Sequence, residues 1–289
     1  MTPFGKFRIF EDAVLYITIT KLKSQLDIIP ILKNRLPSGF FAFWQISVLN
    51  GLFLWYAFFM KKIAVIIYGP PGSGKGTQAN LLAWKKHLYH FDTGAFFEHL
   101  VHHNSSNKKN KTIQKEKELF DKGKLLTPSW VLKIVKDKVK KTAKVGLSIV
   151  FSGSPRTLFE TYGNEKTKGL VPELESLYGK KNIHIFSLAV DPKDSLERNK
   201  VRLICSFCGL QAMGQKCGKL SECVFCGGKL AKRALDDPKN IETRISEYLN
   251  RTKPIEEALE KHGHKINKID GTSLPYEVSE RILKVIGSE

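Results

Sequence analysis

Hydrophobic and polar positions divide the chain into two unlike parts. Phe40 to Met60 is a 21-residue stretch without a charge, broken only by Gln45, Ser47, Asn50 and Gly51. Its length and composition make it a candidate membrane span. It starts too late for a signal peptide and has no small-residue cleavage site. Lys61-Lys62 then lead directly into Ile63-Ala64-Val65-Ile66-Ile67-Tyr68, a run that predicts a parallel strand buried on both faces. A membrane helix ending at Met60 leaves no connector to carry that strand away from a bilayer, whereas a chain starting at Met60 needs none. The expected organisation is a folded body over 60–289 preceded by an extension over 1–59. That extension is read as an upstream mis-start without a fold of its own, the alternative being a genuine anchor at 40–60.

Further along, Ala79-Asn80-Leu81-Leu82-Ala83 carries a helical pattern. Ser148 to Phe151, Ile183 to Val190 and Lys265 to Ile269 read as further short strands. Strands alternating with helical segments predict an α/β body around a parallel sheet. Composition adds a constraint: 42% apolar residues with mixed charge exclude a disordered chain. The formal charge is +19, of which +16 falls after Met60. One reading is nucleic-acid or membrane-surface binding. The other, preferred, is a phosphate enzyme with a lysine-rich surface, because Lys133, Lys136, Lys140 and Lys141 fall on a solvated helix face without interleaved aromatics.

Strand 63–68 ends in Gly69-Pro70-Pro71-Gly72-Ser73-Gly74-Lys75-Gly76-Thr77, followed by the helical pattern. Glycines there let backbone N–H groups turn inward around phosphate oxygens, and the helix aims its positive end at them. Lys75 is placed to bridge the β- and γ-phosphates of a nucleoside triphosphate. Gly72, Ser73, Gly74, Lys75, Gly76 and Thr77 are thus candidate nucleotide-binding residues.

The general phosphate-loop pattern has Ser or Thr directly after the lysine, but here Gly76 intervenes before Thr77. Gly-Lys-Gly-Thr-Gln at 74–78 resembles the adenylate kinases and their nucleoside-monophosphate kinase relatives, of the zinc-lid bacterial type. The resemblance continues to the C-terminus. His90-Phe91-Asp92-Thr93-Gly94 resembles the end of a second strand and the start of the monophosphate segment, and Gly123-Lys124-Leu125-Leu126-Thr127 resembles its far end. Ser152-Gly153-Ser154-Pro155-Arg156-Thr157 resembles the family's Asp-Gly-Phe-Pro-Arg-Thr. The resemblance implies a P-loop, doubly wound, five-stranded parallel sheet with two mobile parts: an acceptor segment at 92–126 and a zinc-ribbon lid at 201–237. It implies transfer of the γ-phosphate of ATP, with Mg2+, to a nucleoside monophosphate, AMP first. By the resemblance Lys75, Arg156, Arg233 and Arg244 are catalytic, and Arg198, Arg202 and Ser273 flank ATP. Thr93, Lys124, Leu125, Leu126, Gly153, Arg156, Glu160, Arg233 and Arg244 then meet the acceptor. Clustered cations suit this chemistry, which needs positioning and charge stabilisation more than covalent help.

Three positions depart from the family pattern. Glu98 stands where a further arginine is expected, and a carboxylate there would repel a monophosphate. Ser152 replaces an aspartate that holds a magnesium-bound water. Glu160 replaces a glutamine that reads the acceptor base; an ionised carboxylate accepts hydrogen bonds but does not donate them, which keeps other monophosphates open as acceptors.

All five cysteines lie between Cys205 and Cys226. Cys205-x2-Cys208 and Cys223-x2-Cys226 have the spacing of two metal knuckles, each trailed by a glycine. Four thiolates make a closed structural zinc site, and such clustering suits a reducing, cytoplasmic setting; Cys217 is the odd thiol. Nucleic-acid ribbons share this spacing, so a nucleic-acid-binding P-loop ATPase is the rival reading, and a membrane-anchored regulator a third. The position of the knuckles between Arg202 and Arg233 favours the kinase, expected as a monomer without a nucleic-acid partner.

Overall fold

The computed structural model describes residues 62–102, 110–212 and 220–287. The chain divides into two units, Met1–Met60 and Lys61–Glu289, and all described residues belong to the second. The extension at 1–59, the apolar stretch at 40–60 and Cys217 lie outside them. Among the described residues no helix is long and apolar enough to cross a membrane.

Five strands form one parallel sheet: β1 (Ala64–Tyr68), β2 (Tyr89–Phe91), β3 (Ile149–Phe151), β6 (Ile183–Ala189) and β10 (Ile266–Asp270), in the spatial order β10-β6-β1-β3-β2. The chain passes from β1 to β2 on one side, returns to β3, then crosses β1 to reach β6. The order therefore reverses between β1 and β3, and the crevice beyond their carboxyl ends is the topological switch point where open α/β sheets take ligands. Register fixes the floor of that crevice: Ile66 pairs with Phe151, so Ser152 emerges beside Ile67.

Alternation along β1 explains why the run is wholly apolar. Ala64, Ile66 and Tyr68 face one core with α4 (Pro128–Lys144), α6 (Leu170–Tyr178) and α9 (Pro254–Lys261). Val65 and Ile67 face a second core with α1 (Lys75–Lys86) and α10 (Pro275–Gly287). With helices on both faces the sheet is doubly wound, as the sequence predicts. The strand limits differ from expectation by about a residue, the usual uncertainty of element ends. β6 stops at Ala189 because Asp191 caps α7 (Pro192–Val201) by accepting from Lys193 N.

Two insertions rise from the carboxyl ends of the sheet. The first holds α2 (Thr93–His102) and α3 (Lys111–Asp121). Asn110 caps α3 through Thr112 N and Ile113 N, and buried Glu116 accepts from Thr127 N at 2.8 Å, tying the segment to the start of α4. The second is a three-stranded antiparallel sheet of β7 (Leu203–Cys205), β8 (Gln211–Ala212) and β9 (Leu230–Ala231), ordered β8-β7-β9. A short hairpin of β4 (Gly163–Asn164) and β5 (Thr167–Lys168) follows α5 (Leu158–Tyr162). That hairpin carries no apolar alternation and left no sequence signal. After α8 (Pro238–Glu247) a π-helical turn, Tyr248–Thr252, leads into α9.

Candidate active site

The phosphate loop joins β1 to α1. Gly69, Gly72 and Gly74 have φ of 148°, 81° and 89°, which side chains with a Cβ rarely adopt. At Gly72 a Cβ would also lie 2.6 Å from Ser195 O. Ser195 and Asn199 of α7, both buried, back the loop: the Ser195 hydroxyl donates to Pro71 O, and Asn199 Nδ2 donates to Ser195 O at 2.8 Å. Neither was anticipated from sequence, because the contact is long-range. Lys75 Nζ donates to Gly69 O and Pro70 O, each at 2.8 Å, and more weakly to Ser73 Oγ. The N-terminus of α1 faces the same space.

One open cleft beyond β1 and β3 is lined by Gly72, Gly74, Lys75 and Gly76 on the loop side, and by Arg156, Arg198, Arg202, Arg233 and Arg244 opposite. Asp92, Ser152 and Glu247 also line it. Ser73, Thr77 and Ser273 do not; Ser273 instead accepts from Arg281 at 3.0 Å. The neighbouring loop reaches the cleft through Arg198, which donates to Gly271 O and Thr272 O. Asp236, missed in the sequence, organises the arginines. It receives Arg202 through two bonds and Arg244 Nη1 at 3.2 Å, a bidentate geometry that fixes the planar fork. Arg156 is held by its Nε donating to Gly153 O at 2.7 Å, while Thr252 in the π turn binds its carbonyl.

The electrostatics of this cleft follow from crowding. Burial first, then Arg156, Arg244 and Arg202, push the Lys75 pKa well below its ordinary value. Burial and the neighbouring Arg233 and Arg202 press Arg244 down to about 9, and burial lowers Arg156 too. Cations that depress one another in this way gain most from a polyanion placed among them.

A second pocket abuts the first. Gly94, Gly123, Leu125, Gly153, Ser154, Arg156 and Arg244 border both. Its remaining wall is Thr93, Phe97, Phe120, Lys124, Leu126, Val131, Glu160 and Leu235, an apolar slot with a few polar groups. The slot is thus bordered by all nine of the residues expected to meet the acceptor except Arg233, which lines the first cleft. Glu98 does not stand alone as a repulsive charge: its carboxylate pairs with Arg233 Nη2 at 2.5 Å, linking α2 to the stretch just after β9.

Glu160 has a role the sequence reading did not give it. Thr157 caps α5 by accepting from Glu160 N at 3.1 Å, and Glu160 in turn accepts from Thr157 Oγ1 and from Arg156 N at 2.9 Å. Ser/Thr-x-x-Glu is the capping-box spacing. Burial raises the Glu160 pKa despite those bonds. A carboxyl whose folded pKa is raised contributes fully below the unfolded value of 4.5 and loses that stability as pH rises through the folded pKa. Glu160→Gln keeps a capping partner without the charge. Its melting temperature is expected to gain on wild type progressively as pH rises from acid to neutral; a gap that is constant with pH contradicts the buried-charge argument.

The four cysteine sulfurs lie within 4.8 Å of one another. Cys205 Sγ–Cys226 Sγ is 3.5 Å and Cys208 Sγ–Cys223 Sγ is 3.8 Å, against about 3.8 Å for sulfurs on a tetrahedral zinc with about 2.3 Å bonds. Gly209 and Gly227 turn each knuckle with φ of 70° and 73°. N–H groups of Cys208 and Phe207 point at Cys205 Sγ and bring that thiol down to about 6. The donor set and its size fit zinc.

The sequence profile described as adenylate kinase matches residues 67–264. The chain belongs to the adenylate kinase family. It is 33% identical over 230 residues to the adenylate kinase of Pelobacter propionicus, an alignment covering 77% of this chain and 96% of that one. It is 31% identical to those of Alkaliphilus oremlandii, over 78% of this chain and 99% of the other, and Clostridium tetani, over 78% and 98%. The phosphate loop, the five cleft arginines and the cysteine knuckles of this adenylate kinase family member all lie within the matched region.

Proposed function

We propose that this protein transfers the γ-phosphate of ATP to AMP, giving two ADP, with the triphosphate at the phosphate loop and the monophosphate in the adjoining slot. The observation that carries this reading is the shared wall: two pockets, one headed by Lys75 and one floored by Phe97, Phe120 and Val131, meet at Arg156 and Arg244. A phosphoryl group passing between them would cross in front of both guanidiniums, which supply charge stabilisation where it develops. Two buried hydroxyls on the slot, Thr93 Oγ1 and Ser154 Oγ, have no hydrogen-bond partner among the described residues. Buried polar groups are rarely left so, and an acceptor would satisfy them.

Magnesium fits as a companion of the nucleotide, neutralising phosphate charge, rather than as a resident of a dedicated carboxylate cage. Zinc fits at Cys205, Cys208, Cys223 and Cys226 as a structural ion, since four thiolates leave no open position. Segments 92–126 and 201–237 are the parts expected to close over the nucleotides and exclude water, the competing acceptor. The nucleic-acid ATPase reading has less support, because the basic charge of the cleft has a use in nucleotide binding.

The Glu98–Arg233 pair gives this reading a specific consequence. The carboxylate occupies a guanidinium that the acceptor phosphate would use, so the acceptor has to compete for it. Glu98→Gln is expected to lower the AMP KM about tenfold, worth about 1.4 kcal/mol, with the ATP KM little changed. An AMP KM that is unchanged or higher in Glu98→Gln contradicts the competition. The reading as a whole is tested by turnover with ATP-Mg and each of AMP, GMP, CMP and UMP. AMP is expected to have the highest kcat/KM; no turnover with any of the four overturns the reading.

A further inference from the structure

Beyond the arginines, one residue of the cleft wall, Ser152, heads a chain of three side chains from three different elements, of which His90 and Asn80 lie outside the cleft lining. His90 of β2 lies with Nδ1 2.6 Å from Asn80 Oδ1 on α1 and Nε2 2.8 Å from Ser152 Oγ at the end of β3. An amide oxygen only accepts, so Nδ1 carries the imidazole proton and donates to Asn80. Nε2 is then the acceptor, and the 2.8 Å bond runs from the Ser152 hydroxyl to His90. Burial lowers the His90 pKa, in keeping with a neutral ring. Hydroxyl, base and orienting group stand in the relation that activates serine nucleophiles.

What distinguishes this from an ordinary structural network is where the hydroxyl lies. Ser152 lines the same cleft as Lys75 and Arg156. It immediately follows β3, the strand paired with β1, one residue past the Ile66–Phe151 pair, and lies next to Gly153, whose carbonyl holds Arg156. A γ-phosphate bound at Lys75 would therefore share the cleft with the Ser152 hydroxyl.

We propose that Ser152 is an internal phosphoacceptor, which takes the γ-phosphate of bound ATP when the monophosphate slot is empty. The Ser152 Oγ–P bond forms as the bond from the γ-phosphorus to the β,γ-bridging oxygen breaks, and ADP leaves with that electron pair. The hydroxyl proton passes to His90 Nε2, and the resulting imidazolium keeps its Nδ1–H on Asn80. Lys75 and Arg156 stabilise the transferring phosphoryl, as they would in transfer to AMP. The product is a phosphoserine dianion among the cleft cations, which occupies the space of an incoming γ-phosphate and so takes the enzyme out of turnover. This rests on the reading of the cleft as an ATP site.

The test is incubation of the whole protein with γ-labelled ATP and Mg2+, without and with AMP, followed by mass-spectrometric mapping. Label is expected on Ser152 and suppressed by saturating AMP. Ser152→Ala should lose the label and Ser152→Thr should retain it as phosphothreonine, which shows that the hydroxyl and not local folding matters. His90→Gln should slow labelling by about a hundredfold, a usual contribution of a general base, with ATP binding measured separately to show that the variant still folds. If ADP forms normally from ATP and AMP but Ser152 stays unlabelled, the inference is wrong and the kinase reading stands. Equal labelling in Ser152→Ala also overturns it. If neither AMP-dependent ADP nor phosphoserine appears, the kinase reading itself fails.

Discussion

Arg156→Lys is expected to lower kcat for transfer to AMP by about a thousandfold while changing ATP affinity by less than about threefold. The scale is that of a transition-state arginine in phosphoryl transfer, about 10³ to 10⁵. Arg156 is one of two cations that border both pockets, so its loss falls on the group in transit more than on either nucleotide at rest. Charge is conserved in the substitution, but the fork is not. A lysine reaches one oxygen where a guanidinium spans two, and it has no second nitrogen to keep the Gly153 carbonyl bond that aims the side chain. Steady-state kinetics with both substrates varied decide the matter. A kcat within tenfold of wild type would remove Arg156 from the transferring group.

The second large effect concerns the proposed zinc-bearing lid. Its satellite core consists of Leu203, Cys205, Cys223 and Leu230, so two of the four buried residues are proposed metal ligands. Two leucines do not offset the entropy of ordering such a segment, whereas zinc on a small four-ligand site stabilises its fold by about 10–16 kcal/mol in isolated fingers. Gly228 adds a steric requirement: a Cβ there would lie 2.8 Å from Cys205 Sγ. Cys223→Ser, or exhaustive chelation, is expected to abolish bound metal and open the lid to proteolysis between 203 and 231. Turnover should drop by roughly a hundredfold, the usual cost of misplaced closing groups. The separately built cores around β1 should keep their melting transition. A metal-free Cys223→Ser protein with wild-type lid protection would show that the cysteines hold this segment without an ion.

Much of this was legible because the chemistry dictates local sequence. A phosphate loop needs glycines at positive φ next to a lysine, and Gly69 to Lys75 carries that need openly. A strand buried on both faces reads as an unbroken apolar run, which is why β1 and β3 were visible. Knuckle spacing announced the four sulfurs. Most of the contacts that were missed run across long sequence distances. Asp236 organises Arg202 from 34 residues away, and Ser195 backs Pro71 from 124. Glu98 illustrates the converse. Its sequence position predicted repulsion of a phosphate, but the pair with Arg233, 135 residues on, makes it a competitor for one guanidinium instead. Glu160 had a local signal, the Thr-x-x-Glu capping box, which the comparison with a glutamine at that position obscured.

The most direct test of the central claim follows one phosphorus atom. ATP labelled at the γ-phosphate is mixed with unlabelled AMP, Mg2+ and the protein, and the products are separated early in the reaction. Label is expected at the β-phosphate of the ADP made from AMP, with AMP consumed in step with ATP. Label released as inorganic phosphate, with AMP untouched, would contradict it.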